Sequence, residues 1–397
     1  MSLDLLQVAG QIEKMAAGLK AAEEKRLEKI NFASETLHKQ AAELKQLRQK
    51  IQSSKTTWLV ADAPNKLDTH EAPPACPQDF IVLATDGSHI DVDRHRSAHC
   101  FLINIGTAQL EYGKNPDAQL YNFPSLYFED KDTIIPSPQG NSYEQIEGAL
   151  LGVRRSIEEC RSSATSASKL ERNLPTLLLL DGSLILWGLA GQNYPEYIKQ
   201  ALVNEGFLIY LDEMRKLSQI RQLAIAAYIS YPRSTEVANI LRLALCPYEP
   251  VDCDRYCSGR QGHRECDAVA GVLDRDIFSQ LLLPGERSAI FASRSSIVKE
   301  RYGIHATNFF YMKIDEEEVA RVEIPLWVAQ NKELIQLVHA LIWQQCKQGQ
   351  GYPIALSEAH EKAVVTTADR EQFWELVEQS ITLRCSAKSK SKRNRWI

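Results

Sequence analysis

The sequence predicts an α/β protein, and three observations carry that reading. Two apolar runs have the length and character of buried strands: Phe80-Ile81-Val82-Leu83-Ala84-Thr85 and Thr176-Leu177-Leu178-Leu179-Leu180. Each runs directly into the same tripeptide, Asp86-Gly87-Ser88 in the first and Asp181-Gly182-Ser183 in the second. A helical pattern lies between them, with Ile146, Leu150, Val153 and Ile157 as its apolar stripe. One Asp-Gly-Ser has chance odds on the order of one in ten at this chain length. Two copies that both close a strand pattern therefore point to a shared purpose.

From the N-terminus, Leu3 to about Ser53 is rich in Ala, Glu, Lys, Leu and Gln and holds no proline. Leu5, Val8, Ile12, Met15 and Leu19, then Leu27, Ile30, Leu37, Leu44, Leu47 and Ile51, recur near helical spacing and predict one or two long amphipathic helices. Leu37, Leu44 and Ile51 stand seven apart, which fits a helical hairpin, a coiled-coil dimer arm or a helix packed on its own domain. Pro64, Pro73, Pro74 and Pro77 mark a linker over 61–79. A strand over Phe80–Asp86 and another over His99–Gly106, joined by a short polar connection, predict an antiparallel hairpin. A third strand is expected near Gln109–Tyr112, and Asp117–Asn141 reads as irregular.

The central helix is expected over about Ser142–Arg161 with Ser142 as its cap, followed by a flexible Ser/Ala stretch over Ser162–Ser168. Beyond the second strand come helices over Tyr194–Asn204 and Gly206–Ile220 and a strand over Ile225–Ser230. Strands over Ser288–Ala292 and Asn308–Ile314 and helices over Glu333–Cys346 and Ile354–Val365 complete the pattern. The division that follows is a helical arm over 1–60, the linker, a main domain over 80–386 with a Cys-rich insertion at about 246–266, and a basic tail over 387–397.

The 397 residues, 44% hydrophobic and 24% charged, are ordinary for a globular chain. A net charge of −5 argues against a globally basic nucleic-acid binder and leaves room for a local basic groove. The tail carries Lys388, Lys390, Lys392, Arg393 and Arg395, which reads as a solvated end or as a phosphate-attracting one. No apolar run reaches about 18 residues, so no membrane-spanning helix and no membrane partner are expected. Met1–Leu6 lacks the pattern of a signal peptide, and nine scattered cysteines read as reduced, so a cytoplasmic location is expected. No P-loop, H-E-x-x-H or G-x-S-x-G pattern occurs.

Asp86 and Asp181 are the leading candidates for chemistry. Asp-Gly is a favoured turn pair, but two carboxylates at two strand ends suit a hard divalent cation, Mn²⁺ or Mg²⁺. A two-metal hydrolysis needs further ligands. The intervening helix offers Glu144, Glu147, Glu158 and Glu159, with Glu147, Leu151, Arg154 and Glu158 on one face. His360 shares a helix face with Leu356 and Val364, so it is expected to point inward, as a core residue or a ligand. Cys246, Cys253, Cys257 and Cys266, with His263 nearby, follow C-x6-C-x3-C-x8-C, which matches no standard zinc spacing. They are candidates for a structural zinc or iron–sulfur site, or plain reduced cysteines.

The two Asp-Gly-Ser strands, the helix between them and the late Pro353-x3-Ser357-x-Ala359-His360 segment together resemble the NurA nuclease family, close to its cyanobacterial-type members. The likeness runs from about Phe80 to Val365. It includes Pro284-Gly285-Glu286-Arg287-Ser288, Asn308-Phe309-Phe310-Tyr311, Ala320-Arg321-Val322-Glu323-Ile324-Pro325 and Gly351-Tyr352-Pro353. The resemblance implies an RNase-H-like mixed sheet flanked by helices. It also implies a Mn²⁺-dependent deoxyribonuclease, of 5′–3′ exonuclease and single-strand endonuclease type, acting on single-stranded DNA and DNA ends in end resection and repair. A HerA-type hexameric ATPase partner and a homodimer are implied too. By motif, Asp86 and Asp181 match the catalytic aspartates and His360 the late histidine. Glu158 sits best as the helix glutamate, with Glu159 and Glu147 as alternatives. Tyr228 and Arg233 fall where the family carries a strand with a basic residue, which makes them candidates for DNA contact. The competing readings are a non-catalytic DNA-binding adaptor and an actin-like ATPase. The latter needs a Gly-rich adenosine loop, for which Gly349-Gln350-Gly351 is a poor substitute.

Overall fold

A computed structural model describes residues 5–63, 66–92, 98–191, 194–259, 262 and 264–380, and the basic tail and His263 lie outside them. The chain divides into two compact units. One comprises 74–228, 296–307 and 323–397, the other 1–73, 229–295 and 308–322.

The first unit holds both Asp-Gly-Ser motifs. Its sheet is built from β1 (Phe80–Ile90), β2 (Phe101–Tyr112), β3 (Asp117–Tyr127), β4 (Thr176–Asp181) and β5 (Leu223–Ile229). The order is β5-β4-β1-β2-β3. β1, β2 and β3 are antiparallel neighbours, whereas β1, β4 and β5 run parallel. This is the mixed α/β sheet expected for an RNase-H-like core. Val82, Leu83, Ala84, Leu177, Leu178, Leu179, Ile225 and Ala226 are fully buried, as strands covered on both faces require. Helix α1 (Ala149–Ser168), helix α2 (Lys332–Gln348) and helix α3 (Ile354–Ala363) flank it.

The strands expected over His99–Gly106 and near Gln109–Tyr112 are one strand, β2, and three further elements differ from the sequence expectation. Asp117–Tyr127 is a full strand, not an irregular segment. As the edge strand it is mostly exposed, with only Tyr121, Ser125 and Tyr127 covered in whole or part, so no clear burial alternation marks it in sequence, and Pro124 is tolerated there. α1 starts at Ala149, after a short strand over Tyr143–Gln145, so Ser142 does not cap it. It continues through the Ser/Ala stretch because Ser163, Ala164 and Ala167 are small enough to bury on its inner face. The two helices expected after β4 form one helical run over Glu196–Lys199, Gln200–Phe207 and Leu208–Ser218, with a π-helical middle.

The second unit is organised by helices Leu5–Ala41 and Leu44–Ser53. Ile30, Leu37, Leu47 and Ile51 join Val237, Ile240, Phe278, Phe291, Phe309 and Tyr311 in one core. The far half of the first helix leaves Leu5, Ile12, Met15 and Leu19 exposed. Strands Thr307–Lys313 and Val319–Pro325 lie beside each other, with short strands at Arg287–Ser288 and His70–Glu71 beyond. Asp274 is fully buried and accepts from the backbone N–H of Val237 and Ala238, closing the N-terminus of helix Glu236–Leu245. The Tyr311 hydroxyl donates to its second oxygen at 2.7 Å.

Candidate active site

Thr85 of β1 is level with Leu180 of β4, so Asp86 and Asp181, one residue on, stand side by side on adjacent parallel strands. Level residues of parallel strands face the same way. β4 ends at Asp181, while β1 continues to Ile90 along β2. Past Asp181, β1 therefore has a strand neighbour on one side only. One oxygen of Asp86 accepts from the N–H of Gly87 at 2.7 Å, and the other lies 2.7 Å from Nδ1 of His360. Asp181 is exposed as a residue, while its carboxyl group turns in to accept from Tyr352. Burial of its carboxyl group pushes its pKa up, and the Asp86 charge adds to the rise.

Glu159 of α1 lies within electrostatic reach of the two aspartates. Its side chain is 8% exposed and its Oε1 lies 3.1 Å from Nε of Arg155. Burial pushes its pKa up to about 8; Arg155 opposes that rise, and Asp86 and Asp181 add to it. Desolvation and two like charges thus outweigh a guanidinium in contact. The carboxylate fits because residue 87 is glycine: a Cβ there would stand 2.6 Å from Oε1 of Glu159. Glycine in the Asp-Gly-Ser motif makes room for the third carboxylate, a role beyond the turn that sequence assigned it.

Glu158 is placed elsewhere. Its carboxylate is 3% exposed and is held by Arg154 at 2.9 Å and Arg161 at 2.5 Å. It lines a groove with Tyr121 and Tyr127. Adjacent helix residues point about 100° apart, so only one of the pair can face the aspartates. Glu147 precedes α1 and is not on it. Tyr228 is fully buried, its ring edge-on to Tyr352 at 5.5 Å, so no face of it is open to DNA. Arg233 is exposed.

His360 does not point inward as its spacing suggested. The buried face of α3 is Ala355, Leu356, Ala359 and Ala363, and His360 stands at its border with 58% of its side chain exposed. Tyr352 is the site residue that sequence reasoning missed. Its hydroxyl donates to Asp181, and burial and that carboxylate together push its pKa up. Gln350 and Gly351 both take positive φ (54° and 109°), which turns the chain back from α2 to deliver Tyr352. The available signal was an aromatic residue inside Gly351-Tyr352-Pro353, between two turn formers.

The carboxylates and the tyrosine hydroxyl offer hard oxygen donors of the kind that Mn²⁺ or Mg²⁺ takes, and the imidazole adds a nitrogen. Burial raises the pKa of Glu159 and Asp181 and neighbouring carboxylate charge adds to the rise, an effect that a bound cation would offset, so the residues fit such an ion. Each carboxylate is meanwhile engaged by a protein donor: Arg155, His360 or Tyr352. Among the described residues no three His, Cys, Asp or Glu are already drawn together as metal ligands. That covers Cys246, Cys253, Cys257 and Cys266, which are free thiols in the second unit, so the zinc or iron–sulfur expectation gains no support. Burial is the leading cause of the raised pKa of Cys253 and Cys266. No described helix is long and apolar enough to cross a membrane.

A family model described as the NurA domain matches residues 80–365. Among solved structures, the chain is similar to a crystal structure of NurA with manganese, at 12% identity and a TM-score of 0.37, over 78% of this chain and 91% of that one. It is also similar to Argonaute of Aquifex aeolicus, at 8% identity and a TM-score of 0.27, over 72% of this chain and 28% of that one. No curated protein matches.

Proposed function

The chain belongs to the NurA family, a family of nucleases, and from that premise we propose that it is a divalent-metal-dependent deoxyribonuclease whose metal ligands are Asp86, Asp181 and Glu159. The observation that carries this reading is that Asp86 and Asp181 stand side by side on adjacent parallel strands, with Glu159 of α1 near enough for their charges to raise its pKa. A bound Mn²⁺ or Mg²⁺ would supply an activated water and charge stabilisation at the scissile phosphate. His360 orients Asp86 and presents an exposed imidazole to solvent. Tyr352 orients Asp181 and holds a proton on its oxygen. Single-stranded DNA and DNA ends as substrates, 5′–3′ polarity, a HerA-type ATPase partner and a homodimer rest on the family resemblance. Arg233 is the exposed candidate for DNA contact, and binding should weaken as salt rises.

The test is cleavage of end-labelled single- and double-stranded DNA with Mn²⁺, Mg²⁺ or EDTA, comparing the wild type with Asp86→Ala and Asp181→Ala. Mn²⁺-dependent loss of label that either substitution abolishes supports the reading. Intact DNA in every lane, with and without an added ATPase partner, would sink it in favour of a DNA-binding adaptor.

A further inference from the structure

Ser88 and the β2 residues opposite the first motif have no part in the reading above, and they hold the helix that carries His360. Asp86 is level with Gly106 and Ser88 with Asn104 on the antiparallel pair β1/β2. These four residues form a two-by-two block on one face of the sheet, and α3 is seated on it. Gly106 lets the helix come down: a Cβ there would stand 2.1 Å from the carbonyl oxygen of Ala359 and 2.5 Å from the nitrogen of Ala363. Ser88 and Asn104 then take the last carbonyls of the helix. The Ser88 hydroxyl donates to Ala363 O. The Asn104 amide donates to Lys362 O at 3.1 Å and to Ala363 O at 2.9 Å. At the other end, Gln345 Oε1 accepts from the N–H of Ala355 at 3.0 Å.

Helix carbonyls at a C-terminus have no partner within the helix and are ordinarily left to water or a cap. Here they are given to side chains of the strand pair that carries Asp86. The helix is thereby fixed along its own axis, and His360, less than one turn before the clasped carbonyls, is fixed with it. The 2.7 Å contact between His360 and Asp86 depends on that setting. We propose that Ser88 and Asn104 are positioning residues that set the His360–Asp86 contact by clasping the C-terminus of α3. This rests on the nuclease reading given above. It also gives the third residue of the first Asp-Gly-Ser motif a role. In the second copy Ser183 donates to the buried Glu323 at 2.7 Å, anchoring the loop after Asp181.

The experiment compares wild type, Ser88→Ala, Ser88→Thr, Ser88→Ala/Asn104→Ala, His360→Ala and the triple variant. It measures DNA-cleavage kcat and KM at saturating Mn²⁺, hydrogen exchange of the 354–363 amides, and a melting curve. A misplacement of about 1 Å can cost up to about a hundredfold in rate. The clasp double variant should therefore lose about ten- to a hundredfold in kcat with KM unchanged. Its α3 amides should exchange at least about tenfold faster while the global melt stays cooperative. Ser88→Thr, which keeps the hydroxyl, should restore wild-type kcat. In the His360→Ala background the clasp substitutions should cost less than about twofold more, because both act through one contact. Wild-type kcat in the double variant, or an equal loss with and without His360, would overturn the proposal. If the double variant fails to fold, Ser88→Ala alone decides by the same comparison in the two backgrounds. A wild type that cleaves no DNA would instead overturn the nuclease reading, and the exchange of the 354–363 amides would still report whether the clasp holds.

Discussion

Nδ1 of His360 and Oδ2 of Asp86 meet at 2.7 Å across 274 positions of sequence. The imidazole is largely exposed and the carboxylate largely covered, with side-chain exposures of 58% and 13%. The pair therefore lies at the boundary between the sheet and solvent. Asp86 is oriented from two sides, by this ring and by the N–H of Gly87.

Asp86→Asn and Asp181→Asn test the carboxylates directly. Metal charge stabilisation is worth several kcal/mol and each 1.36 kcal/mol is tenfold in rate, so either change should lower cleavage by at least about a hundredfold. Asp181→Asn should not lower the melting temperature in EDTA, because burial and the Asp86 charge already disfavour its ionised form in the folded chain. A folded Asp181→Asn protein that cleaves DNA at the wild-type rate would remove Asp181 from the site.

The neighbouring glutamates should separate cleanly. Glu159→Gln is expected to abolish cleavage and leave the fold intact. Glu158→Gln should leave the rate within about threefold and lower stability by about 1 kcal/mol, since Arg154 and Arg161 lose a buried partner but reach solvent. Urea unfolding beside the cleavage assay distinguishes the two. The reverse result would move the active face of α1 by one residue.

Glu159 also sets a pH dependence. Its folded pKa of about 8 lies above the ordinary glutamate value of about 4.3. Between those values the folded chain binds more protons than the unfolded one, so this group's stabilisation is complete below pH ~4.3 and is lost as pH rises through about 8. Divalent metal competes with that proton. Melting temperature in EDTA should therefore fall across this window, Mn²⁺ should flatten the fall, and apparent Mn²⁺ affinity should rise with pH. A Glu159→Gln protein that keeps the same pH slope would assign it to another group.

Gly106→Ala should act at a distance. Its methyl group meets helix backbone, which cannot rotate aside, so α3 must lift. Overpacking of this kind typically costs about 1–3 kcal/mol. The variant should be destabilised by that amount in urea unfolding and should lose cleavage more than Ser88→Ala does. Retained wild-type activity would show that His360 tolerates displacement of its helix.

The residues of this site were unevenly legible in sequence. Asp86 and Asp181 stood out because a repeated tripeptide after an apolar run is a local pattern. The choice between Glu158 and Glu159 is not local: it depends on how α1 is rotated about its axis, with Glu159 against Gly87 and Glu158 held by Arg154 and Arg161. Tyr352 was hidden because its place depends on two positive-φ residues after α2, not on any periodicity. The edge strand Asp117–Tyr127 was missed for the opposite reason: it is so largely exposed that little alternation remains by which strands are found. His360 was singled out by motif, and spacing misjudged its orientation, since a residue at the border of an apolar stripe can turn to either side.

Gly87 has a practical consequence for anyone engineering this protein. Mid-strand glycines are the usual first targets for thermostabilising replacement by β-formers such as valine or threonine. At this position any such side chain would occupy the space of Oε1 of Glu159. A library screened only for heat resistance would thus enrich sturdy, inert proteins, and position 87 should be held fixed before the screen begins.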